Sequence, residues 1–418
     1  MRSVTLILLT SLALALNLSC AKRGLVTKAY DPSFYEVAPR PVEEFSTLNP
    51  TFLVYGDNQG CFRLIEDFGK KHNWWTWKQA LVPFYQLYWL SNGIVGTVNA
   101  ARYSADGGKR TRLMMRDVML DAAKNTRADF ILNIGDICIH DGRYPSHWRR
   151  FLVENKLQSP LLNSVAYFST PGNHERTSDV RFGKPNYEVV FGRPPFYTVK
   201  FKDAALFVID SEVICDLYED MADDVQDSLF AKWYISSDSA SPAWLEQELA
   251  SCDKRFKMIA MHIPPISFGR HFKDWVNEDG RYGNNIPEKR RALLNLFAAE
   301  NVSIVFAGHE HVYQHNILNF PDVNDEPVSP LHIVVSSGGG VPLRHLPNEQ
   351  AMDFQQAYFE ANGYDVTSQM LAREFHYCEV AVSDTQLVIR TFAVNRNNPE
   401  SPVCIETIEI PAELNASQ

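Results

Sequence analysis

The chain has 418 residues, of which 45% are hydrophobic and 22% are charged, a composition that excludes an intrinsically disordered protein. Its length suits one large domain or two smaller ones. The formal net charge of −10 argues against a broad nucleic-acid-binding surface, so no nucleic-acid partner is expected.

The first residues have the pattern of an export signal. Arg2 precedes an almost wholly apolar run, Val4 to Leu18, and small residues follow it. This order predicts that residues 1–20 direct export, with the protein periplasmic or associated with the cell envelope; a signal anchor is the alternative. Cys20 resembles the acylated cysteine of bacterial lipoproteins, although Asn17 stands where those signals usually carry leucine. Acylation there would anchor the chain to a membrane.

Two further segments precede or interrupt the predicted domain. Residues 21–50 are polar and contain four prolines, which predicts a tether. Residues 61–108 form an aromatic-rich insert, with no charged side chain from Gln79 to Ala101. We expect its part at 72–100 to form a helical hairpin that serves as a lid or lies at a membrane interface, where Trp and Tyr are favoured. A helix of the protein core is the alternative.

Apolar runs bounded by turn residues predict a series of strands. The first seven are Thr51–Tyr55, Phe130–Ile134, Val165–Phe168, Ala204–Ile209, Phe256–Met261, Val302–Ala307 and Leu331–Ser336. Three later segments have the pattern of antiparallel edge strands: Glu374–Val382, Gln386–Val394 and Val403–Ile410.

Segments with helical spacing of apolar residues alternate with these strands. They predict helices at Arg110–Thr126, His147–Leu157, Pro242–Ser251 and Pro287–Glu300. This alternation predicts one α/β domain, residues 51–412, in which two packed sheets are flanked by helices.

The chain contains seven cysteines, and setting Cys20 apart leaves an even number. An even number in an exported chain permits disulfides. Cys378 and Cys404 are the favoured pair, because they lie in two strand-like segments of one meander. The alternative is that these cysteines are buried thiols.

Five predicted strand ends carry side chains of the types that commonly bind metal ions. They are Asp57 with Gln59, Asp136, Asn173 with His174, His262, and His309 with His311. Carboxylate, amide and imidazole groups suit Fe, Mn or Zn. Asp136 could bridge two cations with its two oxygens, and in an extended segment His309 and His311 would point the same way. An aspartate after a strand is often only a helix cap, so the prediction of a site depends on all five segments together.

The order and spacing of these segments, from about Phe52 to Val394, resemble those of the calcineurin-like metallophosphoesterases. Flanking features, including Phe191-Gly192 and Gly338-Gly339-Gly340, resemble the purple acid phosphatase-like branch. The resemblance implies a four-layer α/β/β/α sandwich of two mixed sheets flanked by helices. It also implies a metal-dependent hydrolase that cleaves a phosphate ester through a dinuclear metal centre and a metal-bound hydroxide.

The resemblance also assigns roles to individual residues. One metal ion would be held by Asp57, Asp136 and His311, with Gln59 as a further, neutral ligand. The other would be held by Asp136, Asn173, His262 and His309. His174 would bind neither ion, but would stabilise the transition state or protonate the leaving oxygen. Apart from the resemblance, Glu175 beside it is expected to be structural, by capping or orienting the turn, and His140, His271 and His315 are expected to be supporting or structural.

Two residues depart from the family pattern. Gln59 stands where many members have a histidine, and Ile139 stands where purple acid phosphatases have an iron-binding tyrosine. We therefore expect no purple centre and a first metal site that is weak or exchangeable. Two alternative functions stay open: a phosphodiesterase with the same core, and a non-catalytic, membrane-associated binding protein that keeps the fold.

Overall fold

The computed structural model describes residues 23–29, 50–59, 109–138, 141–215, 223–235, 243–276, 285–321 and 328–412. The predicted export signal 1–20 with Cys20, and the aromatic insert 61–108 with its part at 72–100, lie outside these residues. Within the described ranges, no helix is both long enough and apolar enough to cross a bilayer.

The described strands form two mixed sheets. They are β1 (Thr51–Tyr55), β2 (Phe130–Asn133), β3 (Ala166–Ser169), β4 (Tyr197–Lys200), β5 (Ala204–Val208), β6 (Phe256–Ala260), β7 (Val302–Ala307), β8 (Tyr313–Asn319), β9 (Leu331–Ser336), β10 (Asp365–Ala372), β11 (Phe375–Val382), β12 (Gln386–Asn395) and β13 (Asn398–Pro411). The first sheet has the order β13-β12-β11-β1-β2-β3, and the second has the order β10-β8-β9-β7-β6-β5-β4. Strands β1, β2 and β3 are parallel to one another, as are β5, β6, β7 and β9.

Helices cover the outer faces of both sheets. The α-helices are Val26–Ala29, Lys109–Thr126, Pro145–Leu152, Leu161–Ser164, Gly183–Phe191, Asp223–Trp233, Trp244–Ala250, Ile286–Ala299 and Glu349–Ala361. A π-helical turn, Val153–Leu157, continues one of them, and short 3₁₀ segments lie at Ser211–Val213 and Arg270–Trp275.

Strand β1 shows why the domain has four layers. Its side chains alternate between two hydrophobic cores, because successive residues of a strand face opposite sides of the sheet. Phe52 and Val54 lie in the core between the two sheets, where Phe52 stacks on Phe130 at 4.5 Å. Leu53 and Tyr55 lie in the core under the helices of the first sheet. The predicted α/β/β/α sandwich of two mixed sheets flanked by helices is therefore confirmed.

The three predicted C-terminal strands are antiparallel and β13 lies at the edge of the first sheet, but the other two differ from the prediction. Strand β11 lies between β12 and β1, and β12 lies between β11 and β13, so neither is an edge strand. Strand β10, which does end the second sheet, was not predicted, since its mostly half-buried or exposed residues include only one buried side chain and its sequence lacks a regular apolar alternation. The predicted helix at His147–Leu157 is present, but its second half widens into the π-helical turn.

Part of the predicted tether 21–50 is packed on the domain. The side chain of Val26 is fully buried, and its backbone N–H donates to Oδ1 of Asn186 at 2.9 Å. Gly24 donates its N–H to the carbonyl of Arg143 at 3.0 Å. Within the predicted tether, an apolar side chain and backbone hydrogen bonds therefore attach residues 23–29 to the domain.

The predicted disulfide between Cys378 and Cys404 is also wrong. Both cysteines are free. Cys378 lies on β11 opposite Thr391, and Cys404 lies on β13 opposite Phe392, so the whole of β12 separates them. Two strand spacings amount to roughly 9.5 Å, which exceeds the roughly 7 Å that a disulfide can span between Cα atoms.

His376 on β11 gives a prediction for stability against pH. Its side chain is fully buried, and burial lowers the pKa of the imidazole from 6.5 to about 4, despite a hydrogen bond to the carbonyl of Glu374. The unfolded chain therefore takes up a proton near pH 6.5, whereas the folded chain resists it until about pH 4. The contribution of His376 to the free energy of unfolding is therefore complete at neutral pH. It is lost as the pH falls through this window, by up to about 3 kcal/mol.

The measurement is urea unfolding at pH 7 and pH 4.5 for the wild type and for His376→Gln, which cannot titrate. We expect the free energy of unfolding to fall less in the variant than in the wild type. Equal losses in the two proteins would show that His376 does not carry this dependence.

Candidate metal centre

The predicted ligands meet at one edge of the two sheets. The residues follow the carboxyl ends of β1, β2, β3, β6 and β7, and these strands run parallel within each sheet. Carboxyl ends of parallel strands lie at the same edge, where α/β proteins bind ligands. The structure brings together all the predicted site residues: Asp57, Gln59, Asp136, Asn173, His174, His262, His309 and His311.

The backbone of this edge is strained at the predicted ligands. Asp57, Asp136, His309 and His311 all have positive φ angles, between 55° and 75°. Such conformations cost about 1–3 kcal/mol each in residues other than glycine and cluster at functional sites. The expectation that His309 and His311 lie in an extended segment is wrong, because β7 ends at Ala307 and a turn follows. Because of that turn, the imidazoles of His309 and His311 lie in two different groups of potential metal ligands.

The first ligand group consists of Asp57, Asp136 and His311, whose potential ligand atoms lie within 4.8 Å of one another. Nε2 of His311 is 3.5 Å from Oδ1 of Asp57. Gln59 reaches the same group, since its Nε2 donates to Oδ2 of Asp136 at 2.9 Å and lies 3.5 Å from Nε2 of His311. A half-turn of the amide would exchange this nitrogen for the oxygen that a cation requires.

The second group consists of Asp136, His262 and His309. Nε2 of His262 lies 3.4 Å from Oδ1 of Asp136 and 3.2 Å from Nδ1 of His309. Oδ1 of Asn173 completes this cluster at 3.2 Å from Nε2 of His262. Asp136 thus belongs to both groups, as a bridging carboxylate must.

Hydrogen bonds outside the two groups fix the orientation of each imidazole. Nδ1 of His262 bonds to the carbonyl of Ile134 at 2.8 Å, and Nδ1 of His311 bonds to the carbonyl of Pro342 at 3.2 Å. Nε2 of His309 bonds to Oδ2 of Asp274 at 2.7 Å. Each ring therefore donates outward and directs its other nitrogen to the groups, which is the arrangement found around protein-bound metals.

The charge and hydrogen bonding of these residues fit bound cations. Asp57 and Asp136 are both buried. Burial, the largest cause, and the charge of Asp136 raise the pKa of Asp57 well above its usual range, although His262 opposes them. Oδ1 of Asp57 and Oε1 of Gln59 are buried and have no hydrogen-bond partner among the residues that the structure describes. Positive charge at this point would stabilise the carboxylates and satisfy both oxygens.

The turn after β3 is joined tightly to the turn that carries Asp136. The carboxylate of Glu175 accepts from the N–H groups of Asp136, Ile137, Cys138 and Gly172 at 2.7–2.9 Å. The N–H of His174 donates to Oδ1 of Asp136 at 2.9 Å. Nε2 of His174 lies 3.8 Å from Oδ2 of Asp136, and its side chain keeps 13% of its accessible surface. Glu175 therefore orients the turn, and His174 lies beside both groups at the solvent side.

The sequence did not reveal the role of Asp274. One of its oxygens, Oδ2, contacts both Nε2 of His309 at 2.7 Å and Nδ1 of His271 at 3.2 Å. The ring of His271 lies 4.0 Å from that of His309 and keeps 25% of its side-chain surface exposed. Asp274 lies in the 3₁₀ segment and not at a strand end, so the pattern used for the other ligands passed over it.

Of the other two histidines that were expected to be supporting or structural, the structure describes only His315. His315 bonds to Glu406 at 2.8 Å and to His332 at 3.1 Å, a network that joins β8, β9 and β13. Its role is therefore structural. His140, and Ile139 at the position of the missing tyrosine, lie outside the described residues.

Comparisons with known proteins agree with this arrangement. The model of the calcineurin-like phosphoesterase family matches residues 50–313. Acid phosphatase type 7 of Mus musculus is 24% identical over 273 residues, which cover 60% of this chain and 56% of the mouse protein. Purple acid phosphatase 18 of Arabidopsis thaliana is 22% identical over 244 residues, which cover 54% of this chain and 48% of the plant protein. The chain spans about half the length of these curated relatives.

A solved structure shows the same fold. The purple acid phosphatase PPD1 from yellow lupin (Lupinus luteus) seeds superposes with a TM-score of 0.53 at 15% identity, covering 88% of this chain and 54% of the lupin chain. The Arabidopsis relative is a purple acid phosphatase, in agreement with the branch that the sequence resembles. Because the family model matches more than half of its residues, the chain belongs to the calcineurin-like phosphoesterase family.

Proposed function

We propose that this protein is a metal-dependent phosphoric ester hydrolase with a dinuclear centre of Fe, Mn or Zn. The observation that carries the proposal is the pair of ligand groups that share Asp136, with His174 beside them. Asp57, Gln59, Asp136 and His311 would hold one ion. Asp136, Asn173, His262 and His309 would hold the other. When bound, two such cations neutralise charge on phosphoryl oxygens and lower the pKa of water.

The protein's own residues would then bind and orient the ester. The side chain of His271 keeps 25% of its surface and that of His174 keeps 13%, which is close to the 10% of the ligand His311. A partly exposed imidazole can donate a hydrogen bond to a phosphoryl oxygen or a proton to the leaving oxygen. We assign His174 to the leaving oxygen because it lies next to the shared Asp136, and His271 to a non-bridging oxygen of the substrate.

The test is turnover of two chromogenic esters by the full chain. Protein stripped with a chelator and then supplied with Fe, Mn or Zn is assayed with p-nitrophenyl phosphate, a monoester, and with bis(p-nitrophenyl) phosphate, a diester. Metal-dependent turnover of the monoester supports a phosphatase, and a preference for the diester identifies a phosphodiesterase. Absence of turnover with either ester in every metal-loaded form contradicts the proposal and favours a binding protein.

We further propose that the protein acts outside the cytoplasm, in the periplasm or at the cell envelope. The support is the apolar run from Val4 to Leu18 and the following Cys20, with the aromatic residues of 72–100 as a second means of membrane association. Cell fractionation of the wild type and of Cys20→Ala tests this. Release of only the variant from membranes supports acylation, and cytoplasmic recovery of both contradicts export.

A further inference from the structure

Glu310 lies between two predicted metal ligands, yet its carboxylate bonds to another part of the molecule. The side chain is buried. It accepts a hydrogen bond from the hydroxyl of Ser267, and its two oxygens lie 3.1 and 3.2 Å from the backbone nitrogen of His271. The turn that carries His309 and His311 is thereby attached to the loop that carries His271.

The loop at 267–271 fits closely against this carboxylate. A Cβ atom at Gly269 would lie 2.3 Å from Oε2 of Glu310, so a residue with a side chain could not approach as closely. Gln314 holds the start of the loop, since it accepts from the N–H of Phe268 at 2.9 Å and donates to Ser267 at 3.1 Å. The position of the loop is thus determined by its contacts with strand β8 and with the turn that carries His309 and His311.

His271 is the residue that this loop brings to the metal centre. Its ring lies 4.0 Å from the ring of His309, and its Nδ1 is held by Asp274 at 3.2 Å. Asp274 acts on the side chain, whereas Glu310 acts on the backbone N–H of the same residue. A shift of the loop would therefore move the imidazole relative to the metal ligands.

A carboxylate suits this role better than its neutral analogue. Its two oxygens accept from several donors at once, whereas the amide of glutamine offers only one oxygen. Burying the charge costs free energy unless such donors are present. Glu175 provides a parallel within the same site, because its buried carboxylate joins the turns of Asp136 and His174 through backbone N–H groups.

We propose that Glu310 is a positioning residue that holds His271 in place for the substrate and takes no part in binding the metal ions. The role of His271 rests on the proposed phosphoesterase function. The attachment of the loop does not, so the two claims can fail separately.

The first test is a double-mutant cycle with Glu310→Ala, His271→Ala and the double variant, assayed for metal content, kcat and KM with p-nitrophenyl phosphate. Glu310→Ala should lower kcat/KM by about 10- to 100-fold, because misplacing a substrate-orienting group by about 1 Å costs up to this much. Its metal content should equal that of the wild type. When His271 is already replaced by alanine, Glu310→Ala should lower kcat/KM by less than about 3-fold, because the effects of residues that act through one another are not additive.

Two results would overturn the proposal. One is loss of metal from Glu310→Ala, and the other is an equal loss of kcat/KM on Glu310→Ala whether or not His271 is present. Glu310→Gln keeps one acceptor and should retain more activity than Glu310→Ala. If Glu310→Ala does not fold, Ser267→Ala removes one donor and leaves the carboxylate intact. Ser267→Ala should also lower kcat/KM, by a smaller factor than the one expected for Glu310→Ala.

The second test does not depend on turnover. Hydrogen exchange measured by mass spectrometry should become faster in the peptide covering 267–274 of Glu310→Ala, since the N–H of His271 loses both oxygens that lie within hydrogen-bonding distance of it. The peptide covering β12 serves as the control and should not change. Unchanged exchange at 267–274 would show that Glu310 does not hold the loop, whether or not the wild type hydrolyses phosphoesters.

Discussion

Replacing Asp136 with asparagine is expected to lower phosphoester turnover by at least about 10²- to 10³-fold, the cost of removing a single electrostatic contact in an active site. The loss should reach or exceed this range because Asp136 belongs to both ligand groups. Its carboxylate lies 3.4 Å from His262 and 2.9 Å from Gln59, so one substitution weakens both predicted metal sites. Metal content per chain should fall together with turnover.

Asparagine is a suitable replacement because it keeps the size of the side chain and one oxygen. That oxygen can still accept the N–H of His174, which donates to Asp136 at 2.9 Å in the wild type. The matched control is Asp365→Asn at the exposed start of β10, where the carboxylate bonds only to Asn319 among the contacts described. Circular dichroism checks folding of both variants. Wild-type turnover and metal content in Asp136→Asn would contradict a bridging role.

Substitution of His174 by alanine is expected to slow turnover by about 10²- to 10⁴-fold, the range for loss of a general acid. Metal content should stay at the wild-type value, because His174 belongs to neither of the two ligand groups that share Asp136. The backbone N–H that bonds to Asp136 is kept in the variant. The two effects together separate a catalytic residue from a ligand.

Leaving groups of different basicity locate the action of His174. If its imidazole protonates the leaving oxygen, the variant should lose more activity with an alkyl phosphate than with p-nitrophenyl phosphate, whose leaving group needs little protonation. An equal loss with both esters would place His174 at a non-bridging oxygen instead. Loss of metal from His174→Ala would contradict its assignment as a non-ligand.

The sequence allowed prediction of the site because its ligands obey one local rule. Each follows an apolar strand directly, and the carboxyl ends of parallel strands must meet. That rule marked Asp57, Asp136 and His262 as candidates, the family resemblance assigned them to the metal ions, and the structure brings them together. The left-handed turn that separates His309 from His311 could not be predicted, since nothing in the residue types marks positive φ there.

The supporting residues were harder to predict for a physical reason. Asp274 and Glu310 act through contacts between segments distant in sequence, at 2.7 Å to His309 and 3.1 Å to His271. No spacing rule connects such positions. The disulfide prediction failed in the same way, because adjacency in a meander did not show that β12 lies between Cys378 and Cys404.

The most direct test of the dinuclear centre is metal content per chain, measured by elemental analysis of purified protein after equilibrium dialysis against Fe, Mn or Zn, with the free metal of the dialysate subtracted so that an exchangeable ion is still counted. The shared position of Asp136 predicts about two ions per chain, and about none in Asp136→Asn. A wild-type protein that retains no metal after this treatment would contradict the account.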